Sequence, residues 1–145
     1  MKTVTRLIII GACISLAGCA NRASGTFDPG EDIAANEVFY VERFQPDNRE
    51  LHKLIADNIS VRGYEVTYGE EGQAPDDATM IVTYVDKWMW DMTMYLIELT
   101  ITFRDPETGA ALGSGNSYHT SLTRLSPEEM VDEVLNNIVA ADAEG

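Results

Sequence analysis

Few side chains in this chain have the chemistry of a metal ligand, a nucleophile or a proton-transfer group, and their spacing narrows the roles open to them. The histidines, His52 and His119, lie far apart, with no second ligand at helical spacing beside either. The short ligand spacings that build zinc sites are therefore missing, and no metal is expected. His52, next to Leu51, reads as a solvated side chain on a helix flank. Neighbouring carboxylates occur at Glu70-Glu71 and Asp76-Asp77. A carboxylate serves as general acid or base only when fixed and desolvated; in the polar run Gly69 to Asp77 (GEEGQAPDD) these should be solvated. No G-x-S-x-G elbow is present for acyl transfer, and no G-x-x-x-x-G-K-[ST] loop for a nucleotide. Gly109, Gly113 and Gly115 belong to a hairpin and its flank, as turn and close-packing positions. No catalytic residue and no cofactor is expected.

The segment Asp86-Lys87-Trp88-Met89-Trp90-Asp91-Met92 is the unusual one, holding both tryptophans with acids on each side. On an unbroken strand from Met80, Trp88 and Trp90 share a face with Val82 and Tyr84, which is core packing. Asp86 has the same parity, and a carboxylate is rarely buried unpaired. Either the strand leaves the core by Asp86, or a bulge resets its register. At a sheet rim, Trp88, Trp90 and Asp91 would form an interface of the anchor type. Packing and interface both stay open on these residues alone.

Cysteine chemistry points elsewhere. Lys2 and Arg6 are followed by ten uncharged residues, Leu7 to Leu16 (LIIIGACISL), then Ala17-Gly18 directly before Cys19. A charged start, a short apolar run and a small-residue cleavage site make an export signal over residues 1–18. Ten helical residues reach ~15 Å, half of a ~30 Å hydrocarbon core, so the run is too short to span. Cys13 would leave with the signal. The remainder would then hold Cys19 alone, with no disulfide or redox pair. Without Lys2 and Arg6, 8 basic side chains face 24 acidic ones, a side-chain net of −16. Such a surface repels anionic lipid head groups and also nucleic acid, which is excluded as a partner.

Residues 20–36 (ANRASGTFDPGEDIAAN) are small, polar and acidic, without an apolar period. They read, with Cys19, as a flexible tether over 19–36. Regular patterning runs from 37 to 141, and 142–145 reads as a disordered tail. Val38 to Phe44 is a strand. Asp47-Asn48-Arg49-Glu50 has capping-box spacing for a helix carrying Leu51, Leu54, Ile55 and Ile59 on one face, with Gly63 as its stop. Tyr64 to Tyr68 alternates, Met80 to Val85 is apolar on both faces, and Met94 to Arg104 places Tyr95, Ile97, Leu99, Ile101 and Phe103 on one face. Ala110 to Ser121 is a weaker strand. Ser126-Pro127-Glu128-Glu129 caps a final helix with Met130, Val131, Val134, Leu135 and Ile138 on its apolar stripe. The order β-α-β-β-β-β-α predicts an α+β two-layer sandwich: a mainly antiparallel sheet, two helices on one face, and a right-handed crossover from the first strand to the second.

Leu16-Ala17-Gly18-Cys19 resembles the lipobox of bacterial lipoproteins. That resemblance implies cleavage before Cys19, its lipidation and about three acyl chains, enough for stable anchoring. With the leader, the tether and TYVDKWMWDMTMYLIELTITFRD, the whole chain is similar to the small envelope lipoproteins of Gram-negative bacteria, whose implied fold is an α+β sandwich like the first domain of the periplasmic protein TolB. Ala20 stands where Asp would imply inner-membrane retention, which implies an outer-membrane anchor facing the periplasm. The expected function is a non-enzymatic accessory lipoprotein that binds another envelope protein. Two alternatives are a lipid or small-molecule carrier, which needs an apolar pocket of several hundred Å³, and a hydrolase using Asp76 or Asp77.

Overall fold

The centre of the domain follows directly from side-chain alternation. In the computed structural model, which describes residues 21–45 and 47–144, Leu99, Ile101 and Phe103 point into a single core while Thr100, Thr102 and Arg104 point away. These residues belong to β5 (Thr93–Arg104), which is hydrogen-bonded to β4 (Met80–Asp91) on one side and to β6 (Ala111–Tyr118) on the other. The expected hairpin loop forms between β5 and β6, with Gly109 at φ 71 and Asp105 accepting from the amides of Glu107 and Thr108.

Three further strands complete one six-stranded sheet: β1 (Arg22–Phe27), β2 (Val38–Glu42) and β3 (Glu65–Gly69), in the order β1-β6-β5-β4-β2-β3. The ladders β1/β6, β6/β5 and β5/β4 are antiparallel, whereas β4/β2 and β2/β3 are parallel. Helix α1 (Leu51–Val61) connects β2 to β3, and α2 (Pro127–Glu144) closes the chain. The helices touch each other and pack on the sheet, burying Ile55, Ile59, Val134, Leu135 and Ile138 against Val41, Val82 and Leu99. This is the expected α+β sandwich, and its elements from β2 onward keep the expected order. Gly63, at φ 99, ends α1 as its position suggested. The Ser126–Glu129 capping box also forms, each residue's side chain accepting from the other's amide.

The tether expected over 19–36 needs correction, although the leader and Cys19 lie outside the described residues. Arg22–Phe27 form β1, paired along its whole length with β6. A 3-10 turn, Ile33–Ala35, follows, capped by Asp32, and Ile33 is buried in the core. The small residues here fit close approach rather than disorder. A Cβ on Gly25 would lie 2.1 Å from the Asn137 carbonyl oxygen of α2, so only a bare backbone fits beneath that helix. The tail expected over 142–145 is corrected as well: α2 runs to Glu144, and Asp142 accepts from the Ile33 amide at 3.4 Å.

Candidate functional site

The chain's polar chemistry gathers in two clusters, one at the start of α1 and one between β6 and α2. Helix α1 begins after Glu50, which has φ 58 and makes no side-chain cap, so the expected Asp47–Glu50 capping box does not form. Asp47 turns inward instead. Its carboxylate accepts from the Tyr84 hydroxyl at 2.6 Å and the Arg49 amide at 2.7 Å, with His52 Nδ1 at 3.4 Å. His52, expected on a solvated flank, is buried, its ring edge-on to Tyr68 at 5.3 Å. The start of α1 at Leu51 directs both residues inward, and Asp47 supplies the imidazole with a partner. Burial alone would raise the Asp47 carboxyl. Hydrogen bonds from Tyr84, Arg49, His52 and Leu51 outweigh it and hold the group below its ordinary range. Burial, then the bond to Asp47, pushes the Tyr84 phenol far above its usual value.

The second cluster joins β6 to α2. The Ser117 hydroxyl donates to Glu133, whose Oε2 also lies 2.8 Å from His119 Nε2. His119 Nδ1 donates to the Thr123 carbonyl at 3.1 Å, since a carbonyl oxygen can only accept. Ser117 is fully buried and hydrogen-bonded to the carboxylate rather than to the imidazole. The serine, histidine and carboxylate therefore brace the end of β6. They do not form the serine-to-imidazole bond that activates a nucleophile. Both clusters were missed in sequence; the signal for the first was an acid five residues before a histidine at a helix start.

The carboxylates considered for hydrolysis are open to water. Asp76 and Asp77 are exposed in their turn, and Glu70 pairs with Arg43 at 3.2 Å on the surface. Among the described residues no group of three or more His, Cys, Asp or Glu side chains is arranged to hold a metal ion. The carrier alternative required an apolar cavity. The apolar hollow bounded by Ile33, Phe39, Ile59 and Phe103 holds only about 10 Å³, roughly the limit for one water. The larger hollows are open; one of about 410 Å³ lies on the outer face of the sheet between Thr83, Thr102, Arg104 and Arg43.

The aromatic segment resolves into two unlike halves. The register of β4 against β5 shifts between Lys87 and Trp88, but the extra residue is Ile97 of β5. Strand β4 runs unbroken, so Asp86 keeps the face of Tyr84 and Trp88, and Leu96 rather than the expected Tyr95 and Ile97 joins the core cluster. Trp88 is half-buried against the core; its indole N–H donates to Asp86, and the Arg49 guanidinium lies over its ring at 4.1 Å. Trp90 and Asp91 lie beyond, on a hairpin that outruns the rest of the sheet, and both are exposed. The structure thus keeps the three residues on one hairpin but divides packing from exposure. Trp88→Ala should cost about 1–3 kcal/mol, less than the ~3–5 of a fully buried ring. Trp90→Ala should stay within about 0.5 kcal/mol. Urea denaturation of the two variants checks this, and equal large losses would place both rings in the core.

No protein-family model matches the chain, and no curated protein matches it. Solved structures share its fold. PelC from Paraburkholderia phytofirmans, solved as a dodecamer, superposes with a TM-score of 0.60 at 15% identity, covering 82% of this chain and 98% of that one. A point variant of the same dodecamer gives 0.62, again at 15% identity, over 81% and 97%. A PDZ domain protein from Parabacteroides distasonis gives 0.52 at 10% identity, over 83% of this chain but 35% of that one. The similarity is one of fold, and with PelC it spans nearly the whole of the other chain. Among the described residues no helix is long and apolar enough to cross a membrane.

Proposed function

We propose that this protein is a non-enzymatic accessory lipoprotein of the cell envelope, held at the outer membrane by acyl chains on Cys19 and facing the periplasm, where its domain binds another envelope protein. The observation that carries this reading is the uncovered face of the sheet. Its polar side chains are bonded to one another: Asn116 donates to Glu98 at 3.1 Å and to Thr100 at 2.9 Å, and Arg104 donates to Thr83 at 3.1 Å. A surface so arranged is preorganised for docking, with Val85 exposed among the polar groups.

Two measurements test it. A photo-cross-linker at Thr102, on the open face, should capture an envelope protein in intact cells, recovered by pull-down from the membrane fraction. In parallel, Cys19→Ser should leave the protein unprocessed by lipidation and absent from the membrane pellet. Tight membrane association of that variant would sink the anchor. A clean membrane fraction without any adduct at Thr102 would sink the docking face.

A further inference from the structure

We infer that the tip of the β4–β5 hairpin is a second membrane contact, entering the interface of the same bilayer that holds the acyl chains on Cys19. The inference rests on the anchor reading above and adds which end of the domain faces the lipid.

The first observation is where apolar surface is exposed. Met89 is 42% exposed, Trp90 68%, Met92 89% and Met94 45%, all on the hairpin, and Leu122 is 94% exposed on the neighbouring loop. Five of the nine large apolar side chains exposed among the described residues thus sit at one end, which is the concentration that marks a contact surface. That loop is fixed to the tip. Arg124 donates to Thr93 at 2.8 Å and lies over the Tyr95 ring at 4.6 Å.

The second observation is where the chain leads. Arg22 opens β1 opposite Tyr118, and Tyr118 is opposite Glu98 of β5. Asn21 accepts from the Thr123 hydroxyl, in the loop that carries Leu122 and Arg124. The hairpin continues past Glu98 to Thr93, about 17 Å at ~3.3 Å per residue. Cys19 precedes Arg22 by three residues, a covalent reach of at most about 11 Å at ~3.6 Å each. The lipid attachment point is therefore confined to the hairpin's end of the domain. If the short connection extends along the hairpin, the tip would pass it by roughly 6 Å, within the ~5–10 Å depth at which amphipathic elements settle in the headgroup region.

The third observation is backbone strain. Met92 alone links the paired residues Asp91 and Thr93, and it holds φ 58, a left-handed conformation that glycine or asparagine adopts more easily. The tight turn requires the left-handed backbone, but nothing in it requires a nearly fully exposed methionine there. A bilayer supplies the reason. Charge permits the approach: Arg22, Lys87 and Arg124 match the carboxylates Asp86, Asp91 and Glu98 at this end of an acidic chain, with Asp91 4.0 Å from Arg124, Asp86 accepting from Trp88 and Glu98 accepting from Asn116. Tryptophan and tyrosine are also the aromatics that favour membrane interfaces.

The test uses the full lipidated protein in phosphatidylcholine vesicles, with part of the lipid brominated on its acyl chains. Emission of the wild type should be strongly quenched by the brominated lipid, and the quenchable fraction should fall several-fold in Trp90→Phe, leaving Trp88. Met92→Asn should fold at least as stably as wild type yet show weaker quenching of Trp90. Protein that pellets with vesicles but is unquenched at Trp90 overturns the inference and leaves the anchor standing. Protein that does not pellet overturns both. A photo-cross-linker at Trp90 that captures a protein rather than lipid in intact cells also overturns it, assigning the tip to a protein partner.

Discussion

Alanine at position 25 should unseat α2 from the sheet, at a cost of about 3 kcal/mol or more in urea denaturation. Gly25 pairs with Gly115 across the β1/β6 ladder, and α2 crosses directly over the pair. A Cβ on Gly25 would lie 2.1 Å from the Asn137 carbonyl oxygen, 2.3 Å from its carbon and 2.8 Å from the Ile138 nitrogen. These are backbone atoms of a helix, so no side-chain rotation relieves the contact. The helix itself must lift, loosening Val134, Leu135 and Ile138, all buried. Alanine also restricts the unfolded chain, a gain of about 0.4–1 kcal/mol, which the clash outweighs. Gly72 is the comparison. At φ +73 with nothing within 4 Å, its alanine variant meets only backbone strain of about 1–2 kcal/mol. Equal losses at the two positions would mean that α2 does not lie this close to β1.

The same close packing explains why residues 22–27 were illegible as a strand. Sequence patterning identifies a strand by large side chains alternating with polar ones, as in Leu99, Ile101 and Phe103 against Thr100, Thr102 and Arg104. In β1 the inward position beneath α2 has to be bare at Gly25 and Phe27 is the one large apolar side chain packed on the core, so RASGTF carries the composition of a linker. Its order comes from β6, more than eighty residues later, whose Gly113 and Gly115 meet Phe27 and α2. Elements that bury their own apolar side chains were readable: β4, β5, both helices and the Gly63 and Gly109 turns. The strand order was not. It depends on β2 pairing between β3 and β4, a choice among edges that local pattern does not encode.

The candidate site was legible to a similar degree. The conflict between Asp86 and the tryptophans is settled on one face of β4, where Asp86 accepts from the Trp88 indole, and Trp90 is exposed because the hairpin runs past the end of β6. The buried pairs were hidden because their partners are distant: Asp47 meets Tyr84, and His119 meets Glu133. A histidine read by itself looks solvated, and only the fold supplies the carboxylate that lets it be buried. The projection of the hairpin was hidden for a related reason, since β4 and β5 end together at Asp91 and Thr93 while β6 stops opposite Glu98.

Leu99→Ala should destabilise the domain by about 3–5 kcal/mol, the upper part of the ~2–5 range for buried leucine. The leucine is fully buried, and its strand is held by antiparallel ladders on both sides, so the backbone is poorly placed to settle into the space left behind. Its neighbours across those ladders are Asp86 and Ser117. Asp86 is occupied by the Trp88 indole and Ser117 by Glu133, and neither offers an apolar group to fill the gap. A void that cannot collapse carries both the lost transfer energy of the side chain and the lost contacts of its lining. Against a total of ~5–15 kcal/mol for a typical domain, such a loss removes a large share of the margin. The urea midpoint should fall with little change in slope, because a truncation inside an intact core leaves the surface exposed on unfolding almost unaltered. A loss below about 1 kcal/mol would show that Leu99 does not face the helices, and would rotate β5 and the Trp90 hairpin with it.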